Sequence, residues 1–395
     1  MDFDFSDEQR QLRDAVAAFL AKEYPFERAR ANRRAARDWD PEVWAGLAGL
    51  GVTALNVPAE CGGLGFGALE TLALMDACGP YLLQEPLLGS AVIATALLGS
   101  YAQAAPAAAL LRAMAAGEQV AVVAHFEPYA RFDVCQVHTR ATPEGAGFRL
   151  TGHKAVVMHA GSADTLLVSA REPAGPGGAG GAPGGAGGGM SLFLVPRATP
   201  GVRLERYFTV DGQSGADVHL ESVQLPADHR LGGAGAALPA IEAAFDLGMA
   251  ALCAEAVGIM QALLDATVEY LKARQQFGQP IGRFQALQHR IADMVTHLEQ
   301  ARSMSYLAAM RGNHPEPDTR RRALSAAKVI VSEASRFIGQ QAVQLHGGMG
   351  MTDELPVSHW FKRLTAIDVM FGDADIHLQR YAALSRTIHE GTVHV

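Results

Sequence analysis

Two glycine-containing motifs in the last third of the chain have the composition of ligand-binding backbone. The first reads Arg274-Gln-Gln-Phe-Gly-Gln-Pro-Ile-Gly-Arg-Phe-Gln285, and the second reads Gln344-Leu-His-Gly-Gly-Met-Gly350. In the first, a helical apolar pattern breaks at Phe277-Gly278, and Pro280 prevents the helix from resuming. In the second, paired glycines let backbone N–H groups approach a ligand that a Cβ atom would exclude. Both motifs predict helix ends that present bare backbone.

The composition of the chain limits the classes of function. Of its 395 residues, 49% are hydrophobic and 19% are charged, which indicates two or three packed subdomains and not a disordered protein. The net charge of −8 comes from 33 basic and 41 acidic residues and argues against a general nucleic-acid binder. Because no apolar run reaches the length of a membrane span, we expect no membrane partner.

Cysteine and histidine usage predicts a reducing compartment and no metal. The four cysteines are widely separated and form no C-x-x-C pair, so a disulfide framework or zinc site is not expected. The histidines show no H-E-x-x-H spacing. The acidic N-terminal segment lacks the apolar core of a signal peptide, so we expect a soluble cytoplasmic protein.

The hydrophobic period changes twice along the chain, which predicts three domains of an α+β protein. Residues 1–118 have helical spacing, and Ser6 is the predicted cap of the first helix. Residues 119–230 contain short β-rich runs, one of them at 133–139. Residues 231–395 return to helical spacing, with long amphipathic segments near 238–275, 285–312 and 319–345.

A segment within the β-rich region, residues 173–189, is almost purely Gly, Ala and Pro. It has two interpretations, a flexible lid over a site or a tolerated surface insertion that joins two strands. The composition alone favours the insertion.

The order of motifs resembles the acyl-CoA dehydrogenase family. Besides the two motifs above, Pro58-Ala-Glu-Cys-Gly-Gly-Leu-Gly65 is similar to a family turn, and Leu150-Thr-Gly-His-Lys154 is similar to its β-domain signature. The resemblance covers nearly the whole chain and is closest to members with degraded motifs from steroid or dicarboxylate catabolism. It implies an N-terminal helical domain, a central β-barrel or sandwich and a C-terminal four-helix bundle.

The resemblance also implies FAD and a set of residues that bind it. Arg274 would hold the pyrophosphate in a bidentate contact, and Phe277 would pack on the cofactor. Gln276 and Gln344 would offer hydrogen bonds to the cofactor. Gly347 and Gly348 would approach the adenosine end of the FAD held by a neighbouring subunit. Phe126 and Met158 occupy two positions that line the flavin pocket in the family. An alternative stays open, in which Arg274 is only a cation at a helix C-terminus.

The resemblance departs most from the family pattern at the catalytic base. The family's usual Tyr-Glu-Gly-Thr segment is missing, and alignment on Leu378-Gln379-Arg380 puts Asp373 in the place of the glutamate. Asp373 as a base and Asp373 as a helix cap both remain open. The position of the alternative base on the preceding helix is Gly248, which leaves Glu255 as the fallback.

The resemblance implies FAD-dependent α,β-dehydrogenation of an acyl-CoA thioester, with reoxidation by an electron-transfer flavoprotein. A homodimer or homotetramer follows by analogy. Two alternatives were open from the sequence: a non-catalytic or FAD-sharing partner subunit of a heteromeric acyl-CoA dehydrogenase, and flavin monooxygenase or nitroalkane oxidase chemistry on the same fold.

Overall fold

The computed structural model describes residues 5–173 and 189–392, with side chains to residue 386, and these residues form two compact units. The first unit contains residues 5–31, 68–83 and 249–392, and the second contains residues 32–67 and 84–248 together with the chain on either side of the undescribed gap. The N-terminal helical segment is therefore shared by both units. The three-domain boundaries at 118 and 230 stay a prediction.

The described residues contain eleven α-helices, which are α1 (Asp7–Glu23), α2 (Phe26–Arg34), α3 (Pro41–Gly49), α4 (Ala68–Cys78), α5 (Thr95–Gly99), α6 (Ala105–Ala115), α7 (Leu238–Ala273), α8 (Gln285–Arg311), α9 (Pro317–His346), α10 (Pro356–Val369) and α11 (Ala374–Thr392). A π-helix, Leu87–Ala94, precedes α5. The predicted cap of α1 is confirmed: the Ser6 hydroxyl accepts a hydrogen bond from Gln9 N, and the Gln9 side chain accepts one from Ser6 N.

The three long C-terminal helices begin and end within a few residues of the predicted segments. Within the first unit, α9 contacts α8, α10 and α11, so it is the central helix of the C-terminal region. By length and composition α7 could cross a membrane, but 83% of its most apolar window is buried, as in the core helix of a soluble protein.

The described strands are β1 (Ala121–Ala124), β2 (Arg140–Glu144), β3 (Gly147–Met158), β4 (Thr165–Arg171), β5 (Met190–Pro196), β6 (Val202–Phe208), β7 (Ser214–Pro226) and β8 (Arg230–Leu231), followed by the short β9 (Gln275–Gln276) and β10 (Gln279–Pro280). The first eight form one sheet in the order β6-β7-β3-β2-β4-β5-β8, with β1 paired to β4. The predicted order of helices, then strands, then helices is confirmed. The Gly-rich segment lies outside the described residues apart from its ends, and β4 and β5, which flank it, pair antiparallel.

The predicted strand at 133–139 is wrong. The segment makes turns instead, because side chains bind the backbone groups that a neighbouring strand would need. Arg171 donates to the carbonyl oxygens of Cys135 and Val137, at 2.8 and 2.9 Å. Glu127 accepts from His138 N at 2.6 Å and from Thr139 N at 2.9 Å.

Candidate functional site

The first predicted motif forms a tight hairpin at the end of α7. Gln276 of β9 pairs with Gln279 of β10, and the two-residue tip is Phe277-Gly278, with φ of +54° and +79°. Positive φ at both tip residues is typical of a type I′ turn, and it costs a bulky residue such as phenylalanine about 1 kcal/mol or more. Phe277 is nevertheless 89% exposed. The hairpin therefore holds an aromatic ring outward at an energetic cost, beside the exposed Arg274 and Gln276.

The second motif forms the end of α9. Gly347 ends the helix with φ of +58°, and a Cβ atom at Gly347 or Gly348 would meet no atom within 4 Å. Gly350 differs, because a Cβ there would lie 2.7 Å from the carbonyl oxygen of Val343. Gly350 is therefore required for packing, whereas Gly347 and Gly348 present exposed backbone beside the exposed Gln344.

A ring contact brings the two motifs together within the first unit. Tyr270, one turn before Arg274, stacks on His346, with ring centroids 4.4 Å apart. His346 also contacts the carbonyl oxygen of Ala342 through Nδ1 at 2.8 Å, and burial lowers its pKa. The ends of α7 and α9 thus offer one guanidinium, two amides, an exposed ring and open glycine backbone, a donor set that fits an extended dinucleotide.

The fallback base Glu255 is engaged in a buried ion pair. Arg363 of α10 donates from Nε to Oε1 at 2.6 Å and from Nη2 to Oε2 at 2.8 Å. The two side chains are only 7% and 11% exposed, so the pair is bidentate and largely desolvated. No local sequence pattern indicates this pair, because its members are 108 residues apart.

Asp373 lies immediately before α11 and is hydrogen-bonded as a helix cap. Its Oδ1 accepts from Ile376 N at 3.0 Å, and its carbonyl oxygen accepts from His377 N at 3.1 Å. Two residues earlier, Phe371 has φ of +59° and packs against a buried apolar cluster that includes Met249 and Leu324. The residue two positions before Asp373 is therefore a partly buried apolar side chain that packs against the core.

Two buried polar side chains support the turn between α10 and α11. Lys328 Nζ donates to the carbonyl oxygens of Ile367 and Asp368, at 2.9 and 2.8 Å, which compensates the last carbonyls of α10. The ring of His377 contacts Phe371 O through Nε2 at 3.0 Å. Burial lowers the pKa of His377 to about 4, so the ring is neutral at physiological pH.

In the second unit, Phe126 belongs to an aromatic cluster. It stacks on Phe245 with centroids 5.2 Å apart and an interplanar angle of 13°, and His125 meets both rings edge-on. Met158 is half-buried at the end of β3, opposite Gly215 of β7. Between Lys154 and Val157 the register of β3 shifts, and the bulge exposes Val156 by 58% at a φ of +52°.

Lys154 forms a fully buried network that the sequence analysis did not assign. Its Nζ donates to Glu127 Oε1 at 2.8 Å, to His125 O at 3.1 Å and to Ser169 Oγ at 3.1 Å. Burial lowers the pKa of Lys154 to about 8, although Glu127 opposes the shift. The network links His125 and Glu127, which flank Phe126, to Lys154 of β3, the strand that ends at Met158.

Glu85 is a second buried group that the sequence analysis missed. It is 2% exposed, and its Oε2 has no hydrogen-bond partner within the described parts of the chain. Burial raises the pKa of Glu85 to about 7, although hydrogen bonds from backbone N–H groups, that of Asp40 among them, oppose the shift. Glu85 lies two residues before the π-helix, where a Cβ atom at Gly89 would lie 3.9 Å from His159, the residue after Met158. Unusual helical turns of this kind are frequent at functional sites.

We expect Glu85→Gln to stabilise the protein at neutral and alkaline pH and not near pH 4.5. Because the folded-state pKa is about 7 against 4.5 for the free group, the stabilising contribution is complete below pH 4.5 and is lost as pH rises through 7. At pH 8 the variant should gain about 2–3 kcal/mol in the free energy of unfolding, and near pH 4.5 almost none. Urea unfolding at both pH values measures this, with the exposed Glu118→Gln as control. An equal effect at both pH values would contradict a proton on Glu85.

Comparisons with known proteins match the same family along nearly the whole chain. Models of the N-terminal, middle and C-terminal domains of acyl-CoA dehydrogenase match residues 6–118, 123–223 and 236–384. The human mitochondrial short-chain specific acyl-CoA dehydrogenase is 29% identical over 367 residues, covering 91% of this chain and 83% of the relative. A probable acyl-CoA dehydrogenase of Mycobacterium bovis, fadE25, is 30% identical over 370 residues, covering 91% and 90%.

Solved structures are similar over almost their full length. A variant of the Tcur3481–Tcur3483 steroid ACAD has a TM-score of 0.83 at 29% identity, covering 98% of this chain and 99% of that one. The ChsE4–ChsE5 complex from Mycobacterium tuberculosis has a TM-score of 0.84 at 26% identity, covering 97% and 98%. The FAD complex of PigA has a TM-score of 0.86 at 26% identity, with the same coverage. This chain therefore belongs to the acyl-CoA dehydrogenase family, whose members are FAD-dependent oxidoreductases acting on CH–CH groups.

Proposed function

We propose that this chain is one subunit of a heteromeric acyl-CoA dehydrogenase, in which a second, homologous chain supplies the base. The observation that carries the proposal is the engagement of both carboxylates that the sequence offered. Glu255 is locked in a bidentate pair with Arg363, and Asp373 caps α11. The dehydrogenation of a thioester needs a carboxylate that is free to take the α-proton.

Protonation of Glu255 would carry a high cost. The proton would remove the negative charge opposite Arg363 and leave a guanidinium with only 7% exposure without its counter-charge. Breaking a buried pair in this way costs about 3–5 kcal/mol, which would be added to the barrier for proton abstraction. This ion pair therefore supports a structural role for Glu255.

The apolar surroundings of Phe371 support the proposal independently. Counted forward from Gly347 without an insertion, Phe371 takes the place of the family's glutamate, and it packs against Met249. Met249 itself stands where the family usually has an arginine. Phe371 and Met249, both apolar, would then occupy the positions where the family resemblance implies a glutamate and an arginine.

Two of the similar structures support the proposal that this chain is one subunit of a heteromer. The ChsE4–ChsE5 structure is a complex of two differently named chains, and the Tcur3481–Tcur3483 protein is a steroid ACAD with a paired name. By analogy the partner of this chain is another acyl-CoA dehydrogenase chain. The substrate is the CoA thioester of a bulky, cyclic or branched acid, and an electron-transfer flavoprotein accepts the electrons.

Bound FAD supplies the acceptor for the hydride that leaves the β carbon of the substrate. The residues proposed to hold it are Arg274, Gln276 and Phe277 at the end of α7, and Gln344, Gly347 and Gly348 at the end of α9. Their exposure and the ring contact between Tyr270 and His346 support a shared role. Phe126 and Met158 replace polar flavin contacts of the family, and we propose that they line an altered flavin pocket.

A second candidate keeps Asp373 as the base of a homo-oligomer. The observation that favours it is the position of Asp373 at the start of α11, five residues before Leu378-Gln379-Arg380, where the resemblance puts the family glutamate. In that case the Oδ1 hydrogen bond to Ile376 N would orient the carboxylate instead of occupying it.

Substitution of Asp373 by asparagine separates the two candidates. Asparagine caps helices about as well as aspartate, so Asp373→Asn keeps the cap and removes the base. We expect the purified complex to keep its kcat within about twofold, whereas the loss of a base costs about 10²–10⁴-fold. Asp373→Ala, the matched control, should lower the free energy of unfolding by about 1 kcal/mol. A collapse of kcat in a folded Asp373→Asn variant would establish the second candidate.

A further inference from the structure

A cleft in the first unit lies apart from every residue assigned above. It opens between the start of α1 and the last turns of α8 and has a volume of about 420 Å³. Ligand sites commonly have volumes of about 300–1,000 Å³. The residues that define its chemistry are Phe5, Arg10, Arg13, Glu299, Arg302 and Tyr306.

The lining of the cleft is strongly basic in an acidic protein. Three guanidinium groups face one carboxylate there, although the whole chain carries a net charge of −8. Arg10 and Arg13 are three residues apart on α1 and share a face of that helix, and Arg302 approaches from α8. A concentration of positive charge of this kind selects anions.

The acids that pair with these arginines are weak competitors. Arg10 pairs with Asp7, Arg13 with Asp14, and Arg302 with Glu299, and the carboxylate side chains are 86%, 69% and 60% exposed. Solvent screens exposed pairs of this kind, so they contribute little to stability. Arg302 also donates from Nη2 to Gln261 Oε1 at 2.7 Å, and Arg10 donates from Nη1 to the carbonyl oxygen of Phe5. A ligand with two or more negative charges could displace the exposed acids and engage the remaining donors of the guanidinium groups.

One side of the cleft is aromatic. The rings of Phe5 and Tyr306 lie 5.5 Å apart at an interplanar angle of 40°, and the guanidinium of Arg13 lies 5.6 Å from the centroid of Phe5. Both rings are half-buried, so each keeps part of its surface accessible. An aromatic surface next to guanidinium groups provides stacking for a flat ring system and charge for phosphates.

The floor of the cleft carries an unused donor. A second, smaller cavity shares Phe5, Arg302 and Tyr306 with the cleft and has a volume of about 10 Å³, room for about one water molecule. Ser305 Oγ lines this cavity, is buried and has no hydrogen-bond partner among the residues that the structure describes. Asp76 also lines this cavity, and burial raises its pKa.

We propose that this cleft binds a phosphorylated nucleoside. The base would lie against Phe5 and Tyr306, and the phosphates would contact Arg10, Arg13 and Arg302. An ordered water on Ser305 would complete the floor. None of the residues proposed to bind FAD or considered as a base lines this cleft, and the proposal does not depend on which chain supplies the catalytic base.

Calorimetric titration of the flavin-loaded protein with ADP tests the proposal. We expect saturable binding that weakens at least tenfold in the double variant Arg10→Gln/Arg13→Gln. The control Arg311→Gln removes an exposed arginine at the end of the same helix α8 and should leave the affinity for ADP unchanged. Arg302→Lys provides a second variant, because it keeps the charge but loses the fork, and it should weaken binding to a smaller extent.

Two further probes test the chemical class. Adenosine tests the base alone and inorganic phosphate tests the charge alone, and each should bind at least tenfold more weakly than ADP. Equal binding of inorganic phosphate and ADP would overturn the nucleoside assignment. ADP binding that is unchanged in Arg10→Gln/Arg13→Gln would place the ligand elsewhere, for example at the flavin or CoA position, and would also overturn the proposal. Flavin content, measured in the same samples, should be equal in all variants.

Discussion

Replacement of Arg363 by methionine is expected to lower the free energy of unfolding by about 3–5 kcal/mol, a large effect for a single substitution. The variant leaves the carboxylate of Glu255 buried without its partner, at 11% exposure. A charge in that environment has lost its hydration and gains nothing in return. Urea unfolding of the wild type and the variant measures the difference.

Two control variants test whether the loss of stability comes from the buried pair of Glu255 and Arg363. Arg203→Met breaks exposed pairs with Glu205 and Glu221, whose carboxylate side chains are 58% and 71% exposed, and should change the free energy of unfolding little. The double variant Glu255→Met/Arg363→Met removes both charges and should recover much of the loss. If Arg363→Met were as mild as Arg203→Met, Glu255 would not be held by Arg363, and it would return as a candidate base.

Replacement of Arg274 by alanine is expected to weaken FAD binding by about 10–100-fold. A hydrogen bond to a charged group contributes about 1.5–3 kcal/mol, and 1.4 kcal/mol corresponds to tenfold in affinity. Arg274 is exposed at the end of α7, so its removal should leave the fold intact. Titration of the flavin-free protein with FAD measures the dissociation constant.

Lys272 offers a matched control for Arg274. It lies two residues earlier, is equally exposed and pairs only weakly with Glu269 on the surface. Lys272→Ala should not change the affinity for FAD, and Arg274→Lys should restore only part of it, because lysine lacks the planar fork. Equal flavin affinity in Arg274→Ala and Lys272→Ala would contradict the assignment of Arg274 to the pyrophosphate.

The sequence was most informative where local rules decide the structure. The ends of α7, α8 and α9 follow from apolar periodicity, and the cap at Ser6 follows from residue types three positions apart. The glycines at 347 and 348 were recognised as open backbone for the same reason. In these cases the physical cause lies within a few residues of the feature.

Features that depend on distant residues could not be predicted in this way. The β-rich composition of 133–139 predicted a strand, but Arg171 and Glu127 bind its backbone groups instead. The pairing of Glu255 with Arg363 and the buried state of Glu85 likewise depend on how elements pack. Packing determines whether a carboxylate is a base, a cap or half of an ion pair, and the motif alone does not reveal it.

Anaerobic addition of an acyl-CoA to the flavin-loaded protein tests the central claim most directly. The panel should include CoA thioesters of cyclic and branched acids, and the visible flavin absorbance should be followed for this chain alone and for the complex with a homologous partner purified from native cells. If the partner chain supplies the base, the flavin bleaches in the complex and not in this chain alone. Rapid bleaching of the chain alone by any thioester would contradict it, because this chain would then contain its own base.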